Sequence, residues 1–513
     1  MFSKVISGAV LGIDGYLIEL ESHLEGGLPA FSTVGLPEGA VKESKERVNA
    51  AIKNSDFWFP RKRITVNLAP ADVKKEGSAF DLPMAIGIMT ASGQIDQRNL
   101  EDTAILGELA LDGKVRAIRG GLPICLALRD NNIKRILIPE KNAKEAAMAQ
   151  NMEVYPVKTL KEAVAIVENS EDKKPFTIDI KDVFWQNGEY LVDFRDVKGQ
   201  QQVKKALEVA AAGGHNVVMI GPPGSGKTML AKRFPTILPE LTLEEALETT
   251  KIHSVAGILP ADRALIVTRP FRSPHHTISD AGLIGGGRIP KPGEVSLAHH
   301  GVLFLDELPE FKKNVLEVMR QPMEDGIVTI SRATLSLSYP ANFMLVAAMN
   351  PCPCGYFTDP THECNCTIPQ IQRYRSKISG PLFDRIDIHI EVPAVKYKDL
   401  SSESKGEYSE QIRNRVNKAR NIQSARFKEI KNVFCNAHMG SKEIRKFCKI
   451  DDEGNKLLKK AITRFGLSAR AYDRILKVAR TIADLENSSQ IQARFISEAI
   501  QYRSLDRDFT AMV

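Results

Sequence analysis

The stretch GPPGSGKT at 221–228 restricts the fold of this chain more than any other. It follows the apolar run NVVMI and precedes MLAKRF, so the sequence predicts a loop between a strand and a helix. In that setting GxxxxGK[ST] indicates a phosphate-binding loop, because its glycines let successive backbone N–H groups point at phosphate oxygens. Lys227 is expected to reach the β- and γ-phosphates and the Thr228 hydroxyl to hold Mg²⁺. The predicted ATP-binding residues here are Gly221, Pro222, Pro223, Gly224, Ser225, Gly226, Lys227 and Thr228.

A second acidic motif complements this loop. In GVLFLDEL, 301–308, four apolar residues predict a buried strand that ends at Asp306 and Glu307. Asp306 suits the metal shell, and Glu307 suits polarising the attacking water, so hydrolysis and not mere binding is indicated.

Two polar residues at strand ends are further candidates for catalysis. Asn350 ends the run FMLVAAMN and is suited to orienting water near the γ-phosphate. Arg385 precedes the run IDIHIEV, where it either forms a surface salt bridge with Asp384 or Asp387 or acts on the nucleotide of another subunit. The second role requires a ring of subunits.

The order of strand-like and helix-like stretches predicts an α/β chain. Four buried-strand candidates between 191 and 395 are separated by longer segments, the pattern of a parallel sheet covered by helices. The domains predicted are 1–170 of mixed α+β character, a linker at 171–190, a parallel-sheet ATPase domain at 191–395, and a helical lid at 396–513.

Composition excludes several classes of protein. No apolar run approaches the 18 or so residues of a membrane span, and seven cysteines in 513 residues do not make a disulfide scaffold, so a cytoplasmic location is expected. Residues 396–513 hold 25 Lys and Arg against 15 Asp and Glu, a net of +10, whereas the rest nets −3 (45 against 48). This excess either serves a polyanion such as nucleic acid or is a solvated helical surface.

Five motifs in order resemble a known family: GPPGSGKT, GVLFLDELPEF, MNPCPCGY, SGPLFDRIDIHIEVP and LSARAYDRILKVARTIADL. They are similar to the magnesium-chelatase-like AAA+ ATPases and, more narrowly, to the bacterial ComM/YifB group, over essentially the whole chain. The resemblance implies that Asn350 is the sensor-1 residue, Arg385 the arginine finger and Arg470 the sensor-2 arginine of the lid. It also implies a homo-hexameric ring that acts as a DNA helicase or branch-migration translocase on single-stranded or branched DNA, in recombination or natural transformation and with recombination proteins as partners.

The first domain is similar to the Lon-protease fold. In that family a serine nucleophile is partnered by a lysine, and the corresponding positions here are Ala79 and Pro123. Shifting the alignment by one residue brings in Ser78 but supplies no lysine. Because proline has no side chain that activates a hydroxyl, no protease activity is expected.

Four of the seven cysteines fall within 15 residues, at Cys352, Cys354, Cys364 and Cys366. Four thiolates would close a tetrahedral Zn²⁺ site and hold the loop after Asn350. The C-x-C spacing is tighter than in most zinc sites, and free thiols or a redox pair are the alternatives.

Two stretches are candidates for contact with DNA. One is the glycine-rich loop at 282–294 with Arg288 and Lys291, and the other is a predicted hairpin at 324–340 with Arg332 near its tip. Basic side chains at loop tips grip phosphates without reading sequence, although arginines at a subunit interface fit the same pattern.

Other functional classes stay open. A protein-remodelling ATPase and a magnesium-chelatase-like motor share this type of ATPase domain, and a non-enzymatic switch is disfavoured by Glu307.

Overall fold

The structure is a computed structural model that describes residues 1–37, 39–73, 75, 77–169, 173–187, 190–287, 290–332, 335–357, 359–360, 362–395, 406–431, 433–503 and 505. The strands are β1 Phe2–Leu11, β2 Asp14–Glu25, β3 Ala30–Val34, β4 Arg63–Ala69, β5 Thr103–Ile105, β6 Glu108–Leu109, β7 Val115–Arg116, β8 Arg135–Pro139, β9 Glu153–Val157, β10 Val217–Ile220, β11 Phe271–Arg272, β12 Gly285–Gly286, β13 Lys291–Pro292, β14 Val302–Leu305, β15 Ile327–Arg332, β16 Leu335–Pro340, β17 Met344–Met349 and β18 Ile388–Glu391.

The α-helices follow the same chain order. They are α1 Gly39–Asn54, α2 Asp81–Ala91, α3 Gly121–Asp130, α4 Ala143–Ala147, α5 Leu160–Val167, α6 Ile180–Asn187, α7 Gln201–Gly213, α8 Lys227–Arg233, α9 Leu243–Ala256, α10 Asp280–Ile284, α11 Glu294–Leu297, α12 Lys313–Val318, α13 Arg320–Asp325, α14 Ile368–Arg375, α15 Gly380–Phe383, α16 Ser409–Phe427, α17 Ser441–Phe447, α18 Asp452–Phe465, α19 Ala469–Leu485 and α20 Ala493–Gln501.

The chain packs into two compact units. The first contains Met1–Gly188 and Thr242–Val267, and the second contains Glu189–Leu241 and Thr268–Val513. The segment Thr242–Val267 thus lies with the first unit although the sequence on both sides of it belongs to the second. Within the first unit, Ser254 on α9 donates a hydrogen bond of 2.6 Å to the buried Glu145. The domain boundaries given by the sequence stay predictions.

The first unit is built on a seven-stranded mixed sheet in the order β3-β4-β2-β1-β5-β8-β9. β1, β2 and β4 pair antiparallel, whereas β5, β8 and β9 continue in parallel from β1. Helix α2 is buried along its whole length, as expected of an apolar helix at the centre of a core.

Part of the predicted linker has regular structure. Phe176 forms a β-bridge with Val154, and Lys173 donates a hydrogen bond of 2.6 Å to the carbonyl of Pro156. Helix α6 follows, and residues 173–187 belong to the first unit.

The second unit contains a five-stranded, fully parallel sheet in the order β11-β14-β17-β10-β18. The four strands expected from buried apolar runs are β10, β14, β17 and β18, and the fifth strand, β11, has only two residues. The predicted α/β class with a parallel-sheet core and a helical C-terminal region is confirmed.

Helices α16 and α19 of the C-terminal region pack against α7, and a buried polar cluster joins α19 to the start of β18. Asp387 accepts from Arg474 on α19 and lies 3.3 Å from Nδ1 of His215, whose Nε2 is 2.8 Å from the Thr481 hydroxyl. Burial alone would raise the pKa of Asp387, but Arg474 and His215 hold this pKa well below its usual range. The carboxylate therefore links the start of β18 to α19.

Among the described residues, every helix is too short or too polar to cross a lipid bilayer.

Candidate nucleotide-binding site

The predicted site residues collect at one edge of the five-stranded sheet. Ile220 at the end of β10 is level with Met349 at the end of β17, and β14 ends beside them. Because the strands are parallel, the residues that follow all three ends lie at the same edge. The phosphate-loop sequence, the acidic pair and Asn350 are thereby brought together although up to 123 residues separate their partners.

The backbone of the loop at 221–228 depends on its glycines. Gly224 and Gly226 have φ values of 75° and 90°, in the left-handed region that other residues rarely adopt. At Gly221 a Cβ atom would lie 2.1 Å from the Val392 carbonyl oxygen, so a side chain does not fit there. The loop is thus shaped as the motif predicts.

The Lys227 ammonium lies inside this loop. Its Nζ donates to the carbonyls of Gly221 at 2.8 Å and Pro222 at 2.9 Å, and it is 3.3 Å from Oδ1 of Asn350. Burial lowers the pKa of Lys227, and the nearby Asp306 carboxylate opposes that change. A phosphate anion in the loop would replace these carbonyl contacts with stronger, charge-assisted ones.

The residues predicted to hold Mg²⁺ are adjacent. The Thr228 hydroxyl donates to Oδ2 of Asp306 at 2.7 Å, which pairs a hydroxyl with a carboxylate. Mg²⁺ prefers oxygen ligands and binds through few protein groups, so this donor set fits the ion.

Glu307 is presented to solvent by an unusual backbone conformation. Its φ is 54°, and its N–H donates to Oδ1 of Asp306 at 3.0 Å. The side chain is 58% exposed, and its Oε2 lies 3.5 Å from Nδ1 of His276. The sequence did not identify His276 as a partner of Glu307, because 31 residues separate the two and no motif joins them.

Arg385 lies at the opposite edge of the sheet. It precedes β18, in which Ile388 is level with Val217 at the start of β10. About 13 Å of strand separates Val217 from Gly221, so Arg385 is remote from the phosphate loop of its own chain. Its guanidinium is buried, pairs with Glu324 and donates to the Pro381 carbonyl at 2.6 Å. The predicted salt bridge with Asp384 or Asp387 is not the pairing found.

Arg470 lies close to Arg385. It is exposed in the first turn of α19, whose capping residue Ser468 is within 3.3 Å of Oδ2 of Asp384. Burial lowers the pKa of Arg385, and the Glu324 carboxylate opposes that change. The positive charges of Arg320 and Arg470 lower this pKa further. The predicted arginine finger and the predicted sensor-2 arginine therefore lie together, away from the phosphate loop of the same chain.

The four clustered cysteines converge after Asn350. Sγ of Cys352 is 3.3 Å from that of Cys354 and 3.7 Å from that of Cys364, and the last two are 3.6 Å apart. Cys366 completes a group whose sulfur atoms all lie within 4.8 Å of one another. Four sulfurs at about 2.3 Å from a tetrahedral zinc would be about 3.8 Å apart, so the arrangement fits that ion.

The cysteine loop, residues 352–366, contacts the phosphate loop directly. A Cβ atom on Gly355, which follows Cys354 and has φ of 89°, would lie 2.5 Å from Pro223. On the other side, the buried Arg375 donates to the carbonyl of Pro351 at 3.1 Å. The cysteine loop therefore follows Asn350 closely in the chain and packs against the phosphate loop.

The two stretches predicted to meet DNA pack against each other. β15 and β16 form the expected antiparallel hairpin, with Arg332 opposite Leu335 at its end. The Tyr339 hydroxyl of β16 donates at 2.7 Å to the carbonyl of Pro290, next to the exposed Lys291. Arg288 lies outside the described residues.

The serine considered as a nucleophile in the first unit has an acidic partner. The Ser78 hydroxyl donates to Glu108, which also pairs with Arg116. The nearby Lys75 has a buried Nζ with no hydrogen-bond partner in the described part of the chain, so it is not bonded to Ser78. Pro123 is buried in the first turn of α3.

Three family comparisons cover most of the chain. Residues 193–400 match the family described as magnesium chelatase, subunit ChlI; residues 20–142 match subunit ChlI of Mg-chelatase; and residues 406–503 match the ChlI C-terminal family.

Individual relatives indicate the same family. Competence protein ComM of Haemophilus influenzae is 46% identical over 98% of this chain and 97% of its own. The uncharacterized protein YifB of Salmonella typhimurium is 42% identical over 97% and 96%. The magnesium-chelatase 67 kDa subunit of Chlorobaculum parvum is 32% identical over 31% of this chain and 24% of its own.

A parallel sheet of this strand order, with a phosphate loop after one strand and an acidic pair after another, defines a P-loop protein of the AAA+ class. The full-length matches are more specific: the chain belongs to the magnesium-chelatase-like AAA+ family, in its ComM/YifB group.

Proposed function

We propose that this protein is an ATP-hydrolysing ring motor that moves on DNA. The observation that carries the proposal is the division of the site between two edges of one sheet. Lys227, Asp306 and Glu307 lie at the carboxyl edge, and Arg385 and Arg470 lie at the other. One chain therefore carries both halves of an ATPase site without joining them.

Each residue at the carboxyl edge has a chemical task. Lys227 would exchange its loop carbonyls for the β- and γ-phosphates, and Thr228 with Asp306 would hold Mg²⁺. When bound, this ion neutralises charge that develops on the phosphate oxygens. Glu307 polarises the attacking water, and Asn350, already within reach of Lys227, senses the γ-phosphate.

The arginines act on the nucleotide of an adjacent subunit. Stabilising charge on the transferred phosphoryl group is the usual task of an arginine supplied in trans. Repeated head-to-tail contact between subunits that closes on itself generates a ring, and we propose six subunits.

DNA is the proposed substrate. The net charge of +10 over residues 396–513 and the exposed Lys291 and Arg332 support a phosphate-binding surface. The name of the Haemophilus relative, a competence protein, supports a place in DNA uptake. We propose helicase or branch-migration activity in the cytoplasm, on single-stranded or branched DNA and alongside recombination proteins.

We also propose that Cys352, Cys354, Cys364 and Cys366 bind one structural Zn²⁺, supported by the sulfur distances above. Metal analysis of the purified chain should give one zinc per chain. Cys364→Ser should lose the metal, whereas Cys448→Ala, which changes a buried thiol outside the group, should retain it. A zinc-free wild-type protein, prepared without chelator, would contradict the assignment.

Steady-state ATPase activity tests the proposed function. Turnover is measured alone and with single-stranded, duplex and four-way-junction DNA, using Lys227→Ala as the blank. Stimulation by DNA, greatest with the junction, is the expected result. Stimulation by an unfolded protein such as casein, with none from DNA, would instead indicate a protein-remodelling ATPase.

A further inference from the structure

Glu324 covers Arg385 at the amino-terminal edge of the five-stranded sheet. The two side chains form an ion pair in which Arg385 is 5% exposed and Glu324 is 46% exposed. The carboxylate therefore lies between the guanidinium and solvent. While this pair persists, the guanidinium is not presented to a ligand on another molecule.

The surroundings of Arg385 suit an anion with more charge than one carboxylate. Its Nε is buried and has no hydrogen-bond partner among the described residues. Arg320, which forms an ion pair with Glu317 at 2.8 Å, and Arg470 are close enough for their positive charge to act on it. An unused donor on one guanidinium group, with two more guanidinium groups nearby, favours a phosphate, which accepts several charge-assisted hydrogen bonds at once.

Glu324 is also connected to the loops that carry Lys291 and Arg332. It lies in the last turn of α13, which leads through Gly326, with φ of 66°, directly into β15. The side chains of Val328 and Ile330 in β15 are buried, and the Tyr339 hydroxyl connects the hairpin to the Pro290 carbonyl. A displacement of the hairpin thus reaches Glu324 through three residues of backbone.

We propose that Glu324 is a positioning residue that holds Arg385 away from the nucleotide of the neighbouring subunit until the hairpin moves. This inference rests on the proposed function, in which Arg385 acts in trans. DNA bound at Lys291 and Arg332 shifts β15, withdraws the Glu324 carboxylate and releases the guanidinium. The Glu324 carboxylate also repels the incoming phosphate. Its withdrawal therefore lowers the barrier to hydrolysis in two ways, because it releases Arg385 and removes a negative charge from the edge.

The test is the ATPase activity of the full chain carrying Glu324→Gln. Without DNA, its kcat should rise about threefold or more, because the carboxylate that competes for Arg385 is gone. Its KM should stay near the wild-type value, since Arg385 acts on transition-state charge. The factor by which DNA stimulates turnover should shrink. Asp325→Asn is the matched control: it removes the same charge from the next, exposed residue and should leave all three values unchanged.

Two further variants separate positioning from a general effect. Adding Glu324→Gln to Arg385→Ala should produce no rise above Arg385→Ala alone, because Glu324 acts only through Arg385. If thermal melting shows that Glu324→Gln is unstable, Glu324→Asp takes its place. Its shorter side chain weakens the ion pair and should give a smaller rise.

The outcomes distinguish this inference from the proposed function. Wild-type turnover by Arg385→Ala would overturn both the role of Arg385 and the inference. An inactive Arg385→Ala, together with wild-type turnover by Glu324→Gln and Glu324→Asp, would overturn the inference alone. So would a rise that persists in the Arg385→Ala background.

Discussion

At the scale of single residues, Lys227 and Asn350 meet although 123 positions separate them. The phosphate loop was predictable because its eight residues are contiguous and because Gly224 and Gly226 have positive φ values. The requirement for glycine at Gly221 comes instead from the distant Val392 carbonyl. Asn350 was predictable because strand ends in a parallel sheet share an edge. The contacts of Glu324 with Arg385 and of His276 with Glu307 were not predictable, because a contact between side chains far apart in the sequence leaves no periodic or local pattern.

Glu307 should be essential for hydrolysis but not for binding. We expect Glu307→Gln to keep nucleotide affinity and to lower kcat by roughly 100-fold or more, as expected when a general base is lost. Fluorescent-nucleotide titration and steady-state turnover measure the two effects. Lys227→Ala, which should lose affinity, is the comparison, and normal turnover by Glu307→Gln would remove Glu307 from the mechanism.

At the scale of elements, strands that contain a buried apolar run were predicted from the sequence, whereas a very short strand was not. β10, β14, β17 and β18 each contain a buried apolar core, whereas β11 is two residues between prolines and forms only by pairing with β14. The order of elements along the chain did not indicate that α9 packs in the first unit, because tertiary contacts decide which core a helix joins.

The cluster around Asp387 should fix α19 to the sheet. Asp387→Asn removes the charge that Arg474 requires, and breaking a buried ion pair costs about 3 kcal/mol or more. We expect a lower melting temperature at pH 7, followed by circular dichroism, with Glu429→Gln, an exposed turn residue, as the unchanged control.

The effect of Asp387→Asn should depend on pH in one direction. The pKa of Asp387 is lower in the folded chain than in the unfolded one, where it is roughly 3.9. Its contribution to stability is therefore complete above that value and is lost as the pH falls through the folded pKa. The difference between variant and wild type should narrow below about pH 4, and a difference that grows there would contradict the assignment.

At the scale of the whole molecule, the two half-sites predict complementation between inactive subunits. In a mixed ring, Lys227→Ala subunits supply Arg385 to neighbours that carry Arg385→Ala and an intact phosphate loop. In an equal mixture about one interface in four is complete, so turnover should recover to about a quarter of wild type. Mixing Lys227→Ala with Glu307→Gln should recover nothing, because both changes lie in the same half-site. If the mixture of Lys227→Ala and Arg385→Ala turns over ATP no faster than either variant alone, the result would contradict a shared site.

The first unit lacks the catalytic pair of the protease fold that its sequence resembles. Ser78 pairs with Glu108, and the positions of the expected dyad carry Ala79 and Pro123, so its sequence gives no catalytic assignment. The sequence predicted the mixed α+β character of this unit from alternating strand-like and helix-like runs. It did not predict the contribution of Thr242–Val267, which a linear division into domains places elsewhere.

The most direct test of a DNA motor is separation of a labelled four-way junction by the purified full-length protein. With ATP and Mg²⁺, we expect the junction to resolve into its duplex products at a rate that rises with protein concentration. Glu307→Gln should bind the junction but leave it intact, as should wild type with a non-hydrolysable ATP analogue. An intact junction in the presence of wild-type protein that hydrolyses ATP would contradict the account and assign the energy of hydrolysis to another substrate.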